Sequence, residues 1–249
     1  MNRVTSKPKP IIVNDEEEDK LSDLEKSSLS WKRYLRYEDS RIGEIFVGQL
    51  KSTLKCTTCG YASVTFDPFW DLSLPLPKSP LGSGGGNSLT ACVALFTKEE
   101  ILDGDERPKC SRCKQRRRCT KSFSIQKFPR ILVLHLKRFA TGGSFRAKLS
   151  TLIDFPHTLD LSDFAAADAT STSSSSSSAS ANKPVYHLYA VSNHSGSTHS
   201  GHYTAYCKHP YSSTWHCYND SRVSRHSESG VCSAEGYVLF YERIARGGG

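Results

Sequence analysis

The sequence predicts an α+β fold in which short strands outnumber helices. The clearest strand is Ile131–Leu136, an unbroken apolar run typical of a central strand buried on both faces. Up to four more strands are predicted, at 185–192, 202–208, 215–219 and 237–241. Helical spacing of apolar residues occurs in two stretches, 31–50 and 89–102, so helices are the minor component.

Local signals divide the remaining sequence into elements. The stretch 31–50 predicts a helix, a turn near Gly43 and the start of a strand. Residues 54–71 have an extended pattern, and Pro75 and Pro77 then end regular structure because proline lacks a backbone donor. Pro129 separates the strand at 131–136 from the apolar segment before it.

Polar composition predicts three segments without a packed core. Residues 1–30 contain Pro8, Pro10 and an acidic run, and they are predicted to form a disordered leader with at most a short helix at its end. Residues 165–182 include a serine run and are predicted to be a disordered insertion. Residues 244–249 are predicted to be a tail.

The composition indicates a soluble globular protein of 249 residues without a membrane span. The apolar runs are far too short to cross a bilayer, and Lys7 and Lys9 interrupt the place of a signal-peptide core. We therefore expect a cytoplasmic or nuclear location. In such reducing compartments nine cysteines indicate metal binding or catalysis rather than disulfides.

A net charge of +8 raises the possibility of a nucleic-acid partner. The basic residues are spread along the chain, apart from one cluster, Lys114-Gln115-Arg116-Arg117-Arg118. Nucleic acid is therefore the minor alternative, and we do not expect it as a partner.

Two cysteine pairs predict a structural zinc site. Each pair has two residues between its thiols, so that both sulfurs face one point, and four thiolates complete a tetrahedral site. The alternative is two unrelated pairs of buried free thiols. The pairs are 50 residues apart (110 − 59 − 1), which predicts knuckles on separate hairpins, with Gly60 and Arg112 suited to the tight turns. The predicted ligands are Cys56, Cys59, Cys110 and Cys113.

A histidine and two polar residues predict half of a thiol-protease site. His202 starts one strand, while Asn219 and Asp220 end the next. A thiol protease needs an imidazole that takes a proton from sulfur and a polar group that orients the imidazole. Because side chains alternate along a strand, only one of Asn219 and Asp220 is expected to address His202. The other would act through water or order the oxyanion region.

The stretch before His202 predicts a mobile loop. Residues 193–201 are rich in glycine and serine. His194 and His199 have no polar partner comparable with Asn219, so we expect both to be exposed loop residues.

In order and spacing these motifs resemble the catalytic domain of a ubiquitin-specific peptidase, or ubiquitin carboxyl-terminal hydrolase, a papain-like cysteine protease. The resemblance runs from about Trp31 to Glu242 and is greatest to the type 2 and type 21 members. The matching stretches are 31–50, Phe66–Pro75, both cysteine pairs, Gln126–Phe139, Tyr186–Cys207, Tyr218–Ser221 and Gly236–Tyr241.

The resemblance implies a deubiquitinase with a thumb, a palm and zinc-bound β fingers. The fingers would span about 50–125 and grip ubiquitin, and the palm would span about 126–243. His202 would be the general base, Asn219 its orienter and Asp220 an auxiliary polar residue. The implied partners are ubiquitin and ubiquitinated proteins, and the implied metal is structural Zn²⁺.

The family's nucleophile is missing from this sequence. It would be a cysteine in a Gly-Asn-Thr-Cys motif at the start of a thumb helix, and no such motif is present. Four cysteines are assigned to zinc, and the other five lack a helix-start setting. Residues 31–243 are thus expected to be a partial catalytic domain, with the thumb largely missing, that does not cleave isopeptide bonds alone.

Three interpretations remain open at this stage. The chain is a truncated form of an active deubiquitinase, a catalytically dead ubiquitin-binding protein, or a zinc-ribbon protein that binds nucleic acid. Only the basic cluster and the net charge favour the third.

Overall fold

The structure is a computed structural model that describes residues 2–4, 8–12, 14–77, 87–139, 148–169 and 183–244. The predicted insertion from residue 170 to 182 and the tail from 245 lie outside the described residues. The chain divides into two compact units. Unit 1 comprises Met1–Trp70, Thr97–Pro129 and Ser162–Lys183, and unit 2 comprises Asp71–Phe96, Arg130–Leu161 and Pro184–Gly249.

The elements confirm an α+β fold in which strands predominate. The helices are α1 (Asp15–Lys20), α2 (Asp23–Leu35), α3 (Arg41–Phe46) and α4 (Leu89–Thr97). The strands up to residue 136 are β1 (Gly48–Cys56), β2 (Ala62–Phe69), β3 (Leu72–Leu74), β4 (Glu100–Leu102), β5 (Cys119–Lys127) and β6 (Ile131–Leu136). The later strands are β7 (Thr158–Asp160), β8 (Val185–Gly196), β9 (Gly201–Lys208), β10 (Trp215–Asn219), β11 (Arg222–His226) and β12 (Gly236–Arg243).

Helix α2 starts well inside the segment predicted to be a disordered leader. Ser22 caps it with a full capping box: its hydroxyl accepts from the backbone N–H of Glu25, and the Glu25 carboxylate accepts from the N–H of Ser22 at 2.8 Å. The box satisfies two backbone donors that a helix start leaves unpaired. The helix allowed at the end of the leader is therefore present, and it continues beyond residue 30 to Leu35.

Unit 1 contains a four-stranded antiparallel sheet in the order β2-β1-β5-β4. The start of the predicted insertion belongs to this unit. Ala165 bridges to Ile125, and the Nζ of Lys51 lies 3.2 Å from a carboxylate oxygen of Asp168. Because this backbone pairing and this ion pair fix the segment, the prediction of disorder is wrong for residues 165–169.

Unit 2 contains an eight-stranded sheet in the order β11-β10-β9-β8-β12-β6-β3, with β7 on β8. Strand β6 pairs with β12 on one side and with β3 in parallel on the other, so it is a central strand as predicted. Leu132, Leu134 and Leu136 are fully buried, whereas Val133 and His135 on the other face are half-buried. Burial on that second face is therefore less complete than predicted.

Two predicted boundaries differ from the structure. The helix expected over 89–102 ends at Thr97, and residues 100–102 form the short strand β4. The loop expected over 193–201 is reduced to Ser197–Ser200, because the ladder between β8 and β9 continues to the pair Gly196–Gly201. The N–H of Ser197 donates to the Ser200 carbonyl at 2.8 Å and closes this hairpin.

Strand β11 forms one end of the larger sheet. Within the described residues it pairs with β10 alone, from Asn219–Arg222 to Trp215–His226. Its first four residues are exposed. Separately, none of the helices in the described parts of the chain is long and apolar enough to cross a membrane.

Candidate functional site

Four cysteine sulfurs converge in unit 1. Cys56 and Cys59 lie at the turn between β1 and β2, while Cys110 and Cys113 lie before β5. All four sulfurs are within 4.8 Å of one another, with Cys56 to Cys113 at 4.0 Å and Cys59 to Cys110 at 3.7 Å. Tetrahedral zinc with bonds of about 2.3 Å places its sulfurs roughly 3.8 Å apart. The four thiols thus fit a metal ion of this kind.

The two knuckles have the same backbone shape. The N–H of Gly60 donates to the Cys56 carbonyl at 2.9 Å, and the N–H of Lys114 donates to the Cys110 carbonyl at 2.8 Å. Gly60 has a φ of 71° and Lys114 a φ of 58°, both left-handed. The residue that follows each pair therefore makes the turn. The predicted role of Gly60 agrees with this geometry, but in the second knuckle the turn residue is Lys114 and not Arg112.

Backbone donors favour thiolates at this centre. The backbone N–H of Cys59 lowers the pKa of Cys56 to about 6, and the N–H of Cys113 lowers the pKa of Cys110. The hydrogen bond with Cys59 and burial raise the pKa of Cys113 to about 12, and repulsion from the negative charge of Cys110 adds to this rise. A divalent cation at the centre would relieve this repulsion and deprotonate the remaining thiols.

Unit 2 brings His202 and Asn219 together. His202 lies near the start of β9 and Asn219 ends the adjacent strand β10. The Nε2 atom of His202 lies 2.7 Å from Oδ1 of Asn219, within hydrogen-bond distance. The nearest Asp220 oxygen is 4.0 Å from the same nitrogen, and the Asp220 side chain is 80% exposed. A left-handed φ of 50° at Asp220 starts the turn to β11.

The pairing assigns the two ring nitrogens of His202. The Oδ1 atom of an asparagine only accepts hydrogen bonds, so Nε2 must carry the proton. The Nδ1 atom is then the basic nitrogen, and no hydrogen bond reaches it from the described parts of the chain. The arrangement can hold an imidazole in one orientation and one tautomer while its second nitrogen takes a proton.

His194 is not the exposed loop residue that the sequence predicted. It lies on β8 with 5% exposure, and its ring contacts the rings of Tyr203 and Phe139 at centroid distances of 4.7 and 5.5 Å. Burial lowers its pKa. The apolar strand pattern of 185–192 runs on into this segment, but glycine and serine obscured it. His199, in the hairpin turn, is exposed as predicted.

Within the described residues of unit 2, no cysteine is hydrogen-bonded to His202. Burial raises the pKa of Cys92 to about 11 and also raises that of Cys119, Cys207 and Cys232. Cys217 lies in the middle of strand β10 and not at the start of a helix.

Comparisons with known proteins agree on one family. The sequence pattern of the ubiquitin carboxyl-terminal hydrolases matches residues 14–241. Ubiquitin carboxyl-terminal hydrolase 2 of Gallus gallus is 55% identical over 243 residues, which are 97% of this chain and 63% of that protein. Ubiquitin carboxyl-terminal hydrolase 21 of Mus musculus is 54% identical over 227 residues, 91% of this chain and 38% of that protein.

A solved structure has the same fold. The SAGA Ubp8/Sgf11/Sus1/Sgf73 DUB module bound to ubiquitin aldehyde aligns at 30% identity and a TM-score of 0.69, over 83% of this chain and 43% of that chain. The predicted papain-like fold and the likeness to type 2 and type 21 members are thereby confirmed. The chain spans less than two thirds of the length of each of these relatives.

Proposed function

The chain belongs to the ubiquitin carboxyl-terminal hydrolase family, and on that premise we propose that it carries the general base for hydrolysis at the C-terminal glycine of ubiquitin. The observation that carries the proposal is the 2.7 Å contact between Nε2 of His202 and Oδ1 of Asn219. His202 is the base and Asn219 its orienter. Asp220, at 4.0 Å, is an auxiliary polar residue.

The orientation of His202 determines its part in the chemistry. The Nδ1 atom takes the proton of a nucleophilic cysteine thiol, and the thiolate attacks the glycine carbonyl carbon. The bond to the substrate lysine nitrogen breaks, and the imidazolium gives its proton to the departing amine. Water then attacks the acyl-enzyme, gives its proton to Nδ1 and releases the glycine carboxylate, while the sulfur is protonated again.

We propose further that this chain, taken alone, does not catalyse the reaction. Four of its cysteines form the metal cluster, and burial disfavours the thiolate at four others. The remaining one, Cys217, lacks the helix start that would activate a thiol. A partial catalytic domain of an active deubiquitinase accounts for these features together with the intact contact between His202 and Asn219.

In the proposal, zinc occupies the four-cysteine cluster and has a structural role. Cys56, Cys59, Cys110 and Cys113 would hold it, and no ligand position would stay open for catalysis. Ubiquitin is the proposed partner, since the structural relative is bound to ubiquitin aldehyde. A catalytically dead ubiquitin-binding protein remains the second candidate, because unit 1 has the four converging thiols and unit 2 has an eight-stranded sheet.

The ring tautomer of His202 tests its role as base. Long-range ¹H–¹⁵N NMR spectra of the purified chain near neutral pH should show a protonated Nε2 and a bare Nδ1. Asn219→Ala should give a mixture of tautomers, whereas Asp220→Ala should leave the spectrum close to that of the parent. A dominant Nδ1–H tautomer in the parent chain would contradict the assignment.

Two assays on the purified chain separate the candidate functions. Ubiquitin should bind it in calorimetry, and a ubiquitin–fluorophore conjugate should remain uncleaved. Turnover that is lost in His202→Ala would overturn the proposed inactivity and identify a nucleophile among the nine cysteines. Failure to bind ubiquitin would count against both ubiquitin-related candidates.

A further inference from the structure

The second zinc knuckle carries an unusual concentration of positive charge. Residues 107–118 contain seven arginines and lysines and no carboxylate. Asp103, which caps the preceding 3-10 turn (Gly104–Glu106), pairs with Arg107 at 2.6 Å and with Arg118 at 3.6 Å. The other five form the knuckle patch: Lys109, Arg112, Lys114, Arg116 and Arg117.

The positive charges of the knuckle patch are not paired with carboxylates of the described residues. In the described parts of the chain none of its five side chains makes an ion pair. Four of them are exposed, and Arg117 is half-buried with an Nε atom that has no partner. A zinc ion with four thiolates would add about two negative charges, which five cations exceed.

The backbone that carries the patch is already held in place. Lys109 bridges to Arg116, and the N–H of Cys110 donates to the Gln115 carbonyl at 3.0 Å. The N–H of Thr57 in the first knuckle donates to the Arg118 carbonyl at 3.1 Å. A partner would therefore meet cations on an ordered hairpin, so less backbone entropy is lost on binding.

The chemistry favours an acidic polypeptide over a nucleic acid. Residues 103–118 contain no aromatic side chain on which the bases of a single strand could stack. One bridged pair, Lys109–Arg116, is too short a ribbon to fill a duplex groove. Guanidinium forks bind carboxylates through two parallel hydrogen bonds, and a run of aspartates and glutamates supplies such groups at short intervals.

We propose that the knuckle patch is a docking surface for an acidic segment of another protein. This surface goes beyond the proposed hydrolytic function and does not depend on it. Its recognition is by charge, so affinity falls as salt rises, and steering by the patch speeds association.

The test uses the full chain with zinc and a labelled oligoglutamate peptide, followed by fluorescence anisotropy. Oligoglutamate should bind, and an oligoglutamine peptide should not. Changing Lys109, Arg112 and Arg116 together to Gln should weaken binding by about tenfold or more. The same loss of charge at Arg36, Lys98 and Lys137, exposed cations outside the patch, should change it by less than about twofold.

Folding and partner class are controlled separately. Zinc content should match the parent in every variant, and the charge-conserving pair Arg112→Lys with Arg116→Lys should retain binding. Absence of oligoglutamate binding, or equal binding by the patch variant, would overturn the proposal. Tighter binding of a DNA or RNA duplex through the same cations would overturn it in favour of a nucleic-acid partner.

Discussion

Gly201 packs its backbone directly against the imidazole of His194 on the neighbouring strand. A Cβ atom at position 201 would overlap the His194 ring and would lie 2.7 Å from the Ser195 carbonyl oxygen. The hairpin that presents His202 therefore depends on the absence of a side chain at the residue before it.

Gly201→Ala should destabilise the chain by about 2 kcal/mol, because neither a backbone carbonyl nor a packed ring moves aside easily. It should also disturb the tautomer of His202. Gly104→Ala is the matched control, since its left-handed φ of 60° adds strain but nothing lies within 4 Å. Urea denaturation measures the free energy of unfolding of both variants. A loss of less than about 0.5 kcal/mol in Gly201→Ala would show that the overlap at Gly201 is relieved at almost no cost.

Metal analysis should find one zinc per chain, bound by the four converging thiols. Cys110→Ser should lower the zinc content sharply and reduce the melting temperature, because the metal would cross-link the two knuckles. Cys217→Ser, which removes a thiol outside the cluster, should retain the metal. A full equivalent of zinc in Cys110→Ser would rule out the assignment.

Stability should fall as the pH drops below about 6.5, the ordinary histidine pKa. Burial lowers the pKa of His135 and of His194. The neighbouring Lys148 further disfavours a positive charge on His194. Between the lowered and the ordinary value the unfolded chain binds more protons, so stability is complete above the ordinary pKa and is lost as pH falls through it.

Urea midpoints at about pH 7.5 and about pH 5 measure this effect. His194→Gln should reduce the difference between the two midpoints, although it also removes ring packing. His199→Gln, at an exposed turn, should leave the difference unchanged. A midpoint independent of pH in the parent chain would refute the prediction.

Ser22→Ala should cost about 1 kcal/mol, the usual loss when an N-cap hydroxyl is removed. Ser28→Ala, at an exposed position in the same helix, should be neutral or slightly stabilising because alanine favours helix. Circular dichroism during urea unfolding compares the two. Equal stability of the two variants would indicate that the capping box does not contribute in solution.

The sequence was sufficient wherever a short motif determines geometry by itself. The spacing of the cysteine pairs predicted a cluster whose sulfurs lie within 4.8 Å. His202 and Asn219 could be placed together because they sit on consecutive strands. Which of Asn219 and Asp220 addresses His202 could not be predicted, because it depends on the left-handed turn at Asp220 that directs its carboxylate away.

Composition was misleading where tertiary contacts outweigh it. A polar stretch hid where α2 begins, which is determined by the reciprocal bonds of Ser22 and Glu25. The glycine and serine content of residues 193–196 hid four residues of strand, which pair with β9 and bury His194. In both places long-range or capping hydrogen bonds order a sequence that has weak local preference.

The open edge of the larger sheet has a consequence for self-association. Among the residues that the structure describes, no strand pairs with the outer edge of β11, and such open edges invite a second copy to extend the sheet. Arg222 and Arg225 place like charges along that edge, so two copies approaching edge to edge repel each other. We expect these arginines to act as gatekeepers against aggregation, because neutral replacements would leave the exposed Val223 on an edge strand that no charge protects.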